Sequence, residues 1–194
     1  MKTILFSIVV LGTLSLAACN NGTDKSTEAN KTNADTAQAA TPENTDSTKS
    51  AAPISAIVGH YLHLKNALAN DDGNDAAAAG KAMVGAIDQF DTSSLTSDQK
   101  KTYQELAGDT RENAEHIGAN ADKIDHQREH FEMLSKDMYD LVKKFGAGQT
   151  VYQDFCPMYN NQKGATWISE TKDIKNPYLG KKMPTCGSVK EEIK

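Results

Sequence analysis

Hydrophobic residues fall into three regimes along the chain. From Ile4 to Leu16 they form an almost unbroken run behind Lys2, and from Asn20 to about Ala52 they nearly vanish into Asn, Thr, Asp, Ser, Lys and Ala. Beyond Pro53 they return at the three- and four-residue spacing of amphipathic helices. Ile54, Ile57, Val58, Tyr61, Leu62, Lys65 and Leu68 predict a first helix that stops at the turn cluster Asn70-Asp71-Asp72-Gly73. A second passes through an alanine-rich stretch to Met83, Ile87 and Phe90, and its small side chains would let a neighbouring helix come close. Thr96 with Gln99 is a capping-box start for a third, which carries Tyr103, Leu106, Thr110, Ala114 and Ile117 on one face and is interrupted at Gly118 and Asn120. Ile124, Gln127, Phe131, Leu134, Met138, Leu141 and Phe145 mark the fourth, closed by Lys143, Lys144 and Gly146. Four helices with short connections predict an all-α fold, an antiparallel four-helix bundle. A loop-rich C-terminal segment follows from about residue 149, with no alternation long enough to suggest a sheet.

The first regime, residues 1–18, has the charge, apolar core and small-residue ending of a secretory signal. Leu16-Ala17-Ala18-Cys19 resembles the lipobox of bacterial lipoproteins, which implies cleavage before Cys19 and lipidation of its thiol. Asn20 stands where an aspartate resembles an inner-membrane retention signal, so the expected address is the outer membrane, facing the periplasm. Residues 19–52 cannot bury enough apolar surface to offset their ordering entropy and read as a disordered tether. A tether of that length has a typical reach of about 30 Å, enough to hold a domain over 53–194 clear of the lipid. The formal net charge is -5, and loss of Lys2 with the leader makes it -6. An acidic chain without a basic cluster excludes nucleic acid as a partner, leaving the membrane, through lipid at Cys19, as the expected one.

Chemistry concentrates near the C-terminus. Cys156-Pro157-Met158 and Met183-Pro184-Thr185-Cys186-Gly187 are mirror-ordered pairs of a thiol and a thioether, a soft donor set that favours Cu(I) or Ag(I). The proline and glycine of Asn176-Pro177-Tyr178-Leu179-Gly180 would let the chain fold back and bring the four together. The competing reading is a Cys156–Cys186 disulfide, natural in an oxidising compartment and worth about 3 to 4 kcal/mol for a loop of about 30 residues. Met158 and Met183 would then be core filler, and the stapled module would dock onto an envelope partner through Tyr159, Trp167 and Tyr178. Spacing alone leaves both readings open. His126 and His130, four apart on the fourth helix, are a weaker pair of metal ligands. His63 is expected to be exposed, and His60 and His116 form no pattern. There is no zinc motif, phosphate-cradling glycine loop or nucleophile triad, and no Cys-x-x-Cys, so the chain does not read as an enzyme.

Several runs carry a resemblance. They are His126-Gln127-Arg128-Glu129-His130-Phe131 with Leu134-Ser135, Val151-Tyr152-Gln153, Phe155-Cys156-Pro157-Met158, Gly164-Ala165-x-Trp167, Ser169-Glu170, Ile174-x-Asn176-Pro177-Tyr178-x-Gly180, Met183 and Cys186-Gly187. Together they resemble a bacterial periplasmic family known only as a domain of unknown function. That family occurs as small lipoproteins and at the C-terminus of CusB-type heavy-metal efflux adaptor subunits. The resemblance spans about Pro53 to Ile193, with its specific motifs in the C-terminal half. It implies heavy-metal efflux components as partners, and it tips Cys156, Met158, Met183 and Cys186 towards a soft-metal site.

Overall fold

The structure is a computed structural model that describes residues 54–194. The expected leader, the lipidated Cys19 and the tether over 19–52 lie outside the described residues. Four long helices come first: α1 (Ser55–Ala69), α2 (Gly73–Asp88), α3 (Ser97–Ala119) and α4 (Ile124–Phe145). Their ends follow local rules. The Asp72 side chain caps α2 through Asp75 N–H, and Thr96 and Gln99 form the reciprocal capping box of α3. Gly146, at φ 77°, closes α4 behind Lys143 and Lys144.

Each helix packs on the next, and α4 also touches α1. A Cβ on Gly80 would sit 2.9 Å from the Ala114 carbonyl, and one on Gly118 would sit 2.9 Å from Lys81 Cγ, so α2 and α3 meet where side chains are missing. Gly118 therefore does not interrupt α3, which runs through it to Ala119. Among the described residues no helix is long and apolar enough to cross a membrane.

The all-α expectation fails after Gly148. Strands β1 (Val151–Cys156), β2 (Ala165–Ser169) and β3 (Ser188–Ile193) form a three-stranded antiparallel sheet in the order β2-β1-β3. Alternation did not reveal it for a physical reason. In β1 the buried residues are Val151, Asp154 and Cys156, so polar Asp154 points inward while Tyr152 and Phe155 are half-exposed. The pairing with β3 slips between Gln153 and Asp154, which breaks the period of two. β2 is buried at Trp167, Ile168 and Ser169 in succession, and β3 is almost wholly exposed.

The sheet is held to the helices by buried polar groups. The Tyr61 hydroxyl of α1 accepts from Ile168 N–H at 3.0 Å and bonds Ser135 Oγ of α4 at 2.8 Å. Lys65, wholly buried on α1, donates to Glu170 just beyond β2 at 2.7 Å, and Asn66 bonds the other carboxylate oxygen at 2.9 Å. Burial acts to lower the Lys65 pKa, and the Glu170 carboxylate opposes it. One hydrophobic core continues from the helices into the sheet, from Ile54 and Phe131 to Val151, Trp167 and Ile193.

Candidate functional site

Cys156 closes the central strand and Cys186 precedes the last one, so sheet pairing draws together two thiols thirty residues apart in sequence. Their sulfurs lie 2.7 Å from one another, Cys156 buried and Cys186 half-exposed, and the two are not joined in the structure. The two methionine residues adjoin the same point. Met158 directs a backbone N–H at the Cys186 sulfur, and the Met183 carbonyl accepts from Cys186 N–H at 3.1 Å. Burial and then the Cys156 thiol push the Cys186 thiol up from its ordinary pKa, with the Met158 N–H pulling the other way. The core-filler reading of the methionines does not hold. Met158 is 48% and Met183 42% exposed, two of four exposed large apolar side chains among the described residues.

What aims Cys186 at Cys156 is Asn176, a residue the sequence marked only as the start of a turn. Its backbone N–H donates to the Pro184 carbonyl at 2.9 Å, and its Nδ2 donates to the Cys186 carbonyl at 2.7 Å. Its Oδ1 accepts from Tyr178 and Leu179 N–H at 2.8 and 2.9 Å. A fully buried asparagine thus uses both ends of its amide to set the loop's curvature. Beneath the Cys186-Gly187 step lies Trp167, so close that a Cβ on Gly187 would come within 2.9 Å of its ring.

The aromatic docking surface is not there as expected. Trp167 is completely buried and Tyr178 nearly so, its hydroxyl donating to the Thr166 carbonyl at 2.6 Å and its ring stacked 4.4 Å from Tyr159. Only Tyr159 of the three is partly exposed. Tyr178 packs against Phe131 and Trp167 as part of the core instead.

Gln127 and Arg128 lock the start of α4. Arg128 donates to the Pro177 carbonyl at 2.9 Å and to the Leu68 carbonyl at 3.0 Å, and it pairs with Asp71. One guanidinium thereby joins the α1–α2 turn, α4 and the loop that carries Cys186. The Arg128 guanidinium holds the Asp71 carboxyl below the usual carboxylate range. Gln127 Nε2 donates to the carbonyls of Gly73, at 2.9 Å, and Ile117, at 3.1 Å.

The histidines gather at the turn between α3 and α4. His126 and His130 have ring centroids 4.6 Å apart, as their spacing suggested. His116, which showed no pattern in sequence, stacks on His130 at 4.3 Å with rings 7° from parallel. Ring nitrogens of all three lie within 4.8 Å of one another. His130 Nδ1 is 3.0 Å from Asn113 Oδ1, and His126 Nδ1 is 3.4 Å from Glu129 Oε2. Burial, followed by the two neighbouring imidazoles, lowers the His130 pKa. His63 is exposed as expected and bonds Asp75 at 3.0 Å.

Residues 57–150 match the family model described as a protein of unknown function, DUF3347. The DUF3347 match covers α1 from its third residue through α4 and ends one residue before β1. It contains Gln127, Arg128 and the three clustered histidines, whereas Cys156 and Cys186 lie beyond it. The helical part of the chain thus carries the match, not the C-terminal motifs expected to be the specific ones. No curated protein and no solved structure matches the chain.

Proposed function

We propose that this is an envelope protein that binds a soft metal ion, Cu(I) or Ag(I), for buffering or for handover to heavy-metal efflux components of the CusB-associated type. In this reading lipid at Cys19 anchors it to the outer membrane on the periplasmic side. An antiparallel four-helix bundle serves as the scaffold, and binding rather than catalysis is its work. The observation that carries the reading is the convergence of Cys156 and Cys186 beside the backbone of two methionines that are themselves exposed. Thiolates supply the charge and thioethers complete a low-coordinate site that harder ions avoid. Metal–sulfur bonds of about 2.3 Å need the two sulfurs further apart than they rest, so ion entry is coupled to rotation of the half-exposed Cys186 side chain.

The sulfur contact of 2.7 Å also favours a second reading, in which oxidation joins the two cysteines and the sheet serves as a stapled interaction module. One experiment separates them. Reduced protein is titrated with Cu(I) against a competing chelator, alongside Cys156→Ser and Met183→Leu. Wild type should retain the ion and the cysteine variant should lose about tenfold or more in affinity, equivalent to about 1.4 kcal/mol. Failure of wild type to compete rejects the metal reading. A thiol count of zero in protein as isolated, resistant to glutathione, establishes the stapled module.

A further inference from the structure

We infer that His116, His126 and His130 form a second metal site, chemically separate from the sulfur pair, that takes a divalent borderline ion of the Zn2+ or Cu2+ class. Three neutral imidazoles are the donor set that such ions accept and that Cu(I)-selective thioether sites lack. One ring nitrogen from each lies within 4.8 Å of the other two. A tetrahedral ion with bonds of about 2.0 Å needs nitrogens about 3.3 Å apart, which small side-chain rotations reach.

The outer contacts of the cluster favour ligation over a chance gathering of surface rings. His130 Nδ1 lies 3.0 Å from Asn113 Oδ1 and His126 Nδ1 3.4 Å from a Glu129 carboxylate oxygen, acceptors that favour the tautomer in which each Nδ1 carries the hydrogen and donates the hydrogen bond. Each of these two rings is left with Nε2 as its lone-pair nitrogen, the arrangement by which a second shell orients ligating histidines. The backbone beneath is fixed as well. Gln127, between the two α4 histidines, donates to the carbonyl of Ile117, the residue after His116. That bond ties the last turn of α3 to the first turn of α4 and so holds His116 against its partners. His116 is exposed and His126 and His130 are half-exposed, so solvent reaches the cluster and an ion held there would exchange with it. Glu112 lines the same surface recess as His130, and its carboxylate adds a field that draws cations.

The inference stands apart from the sulfur site, and its test uses neither thiols nor Cu(I). Histidine side-chain nitrogen resonances of the purified full chain are followed during titration with Zn2+. The signals of His116, His126 and His130 should move together and saturate at one equivalent, while those of His60 and His63 stay put. His116→Ala, a change at an exposed position, should then weaken Zn2+ binding about tenfold or more, measured by equilibrium dialysis. Repeating the dialysis with Cu2+ on a Cys156→Ser, Cys186→Ser background should give the same dependence on His116. If the three signals do not move together, or if His116→Ala binds as tightly as wild type, the cluster is at most an ordinary helical histidine pair and the inference is wrong.

Discussion

Asp154 is a buried carboxyl without a hydrogen-bond partner, and replacing it with asparagine should make the protein more stable at neutral pH. The side chain is 0% exposed, and neither carboxylate oxygen has a hydrogen-bond partner. Burial raises its pKa from 3.8 to about 7, with Lys65 on α1 pulling it down and Glu170 pushing it further up. In the unfolded chain the same group ionises near its ordinary value. Between about pH 4 and pH 7 the folded state therefore holds a proton that the unfolded state has released, and this residue's contribution to stability falls as pH rises through that window. At about 1.4 kcal/mol per pH unit, the ceiling on the loss is about 4 kcal/mol. An asparagine side chain at this position would keep the shape and carry no charge in either state. Asp154→Asn should thus exceed wild type by about 2 to 4 kcal/mol at pH 8, with the gap closing to less than about 1 kcal/mol near pH 4. Urea unfolding followed by the fluorescence of Trp167, the single tryptophan and the cross-strand neighbour of Asp154, reads this directly. The lowered pKa of His130 contributes in the opposite direction, since a histidine kept neutral in the fold adds stability as pH rises. The quantity to compare is therefore the difference between variant and wild type. A variant no more stable than wild type at pH 8, or a difference that does not change between pH 4 and pH 8, would refute the reasoning.

Two further changes probe the clamp that positions the Cys186 loop. Arg128→Met removes donors from the carbonyls of Pro177 and Leu68 and strips Asp71 of its partner. The expected cost is about 2 to 4 kcal/mol in chemical denaturation, and a loss below about 1 kcal/mol would show that the guanidinium does not hold these segments together. Gly180 adopts φ 51°, and a Cβ there would overlap the Asp71 carboxylate and the Arg128 guanidinium. Gly180→Ala should therefore destabilise by about 1 to 3 kcal/mol, and a neutral result in the same assay would mean that the turn relaxes freely.

The helical half was legible because its signals are local. Apolar spacing, the Asn70 to Gly73 cluster, the Thr96 and Gln99 box and the closing Gly146 each act within one or two turns of helix, and all four helices lie where those residues place them, although α2 stops at Asp88, short of Phe90, and α3 runs on through Gly118. The sheet was not legible. β1 buries an aspartate and leaves a phenylalanine half-exposed, and its pairing slips by a residue, so the period of two never forms. The same distinction divides the candidate sites. Cys156, Met158, Met183 and Cys186 could be named from their chemistry, and so could His126 and His130 from their spacing.

That His116 completes the histidine cluster, that Asn176 aims Cys186, and that Trp167 and Tyr178 are core rather than surface follow only from the packing. Backbone propensity and side-chain chemistry are properties of a residue and its near neighbours, which the chain carries in any conformation. Convergence across 30 residues from Cys156 to Cys186, or between the end of one helix and the start of the next, depends on which faces bury one another, and that is decided only when the whole core closes.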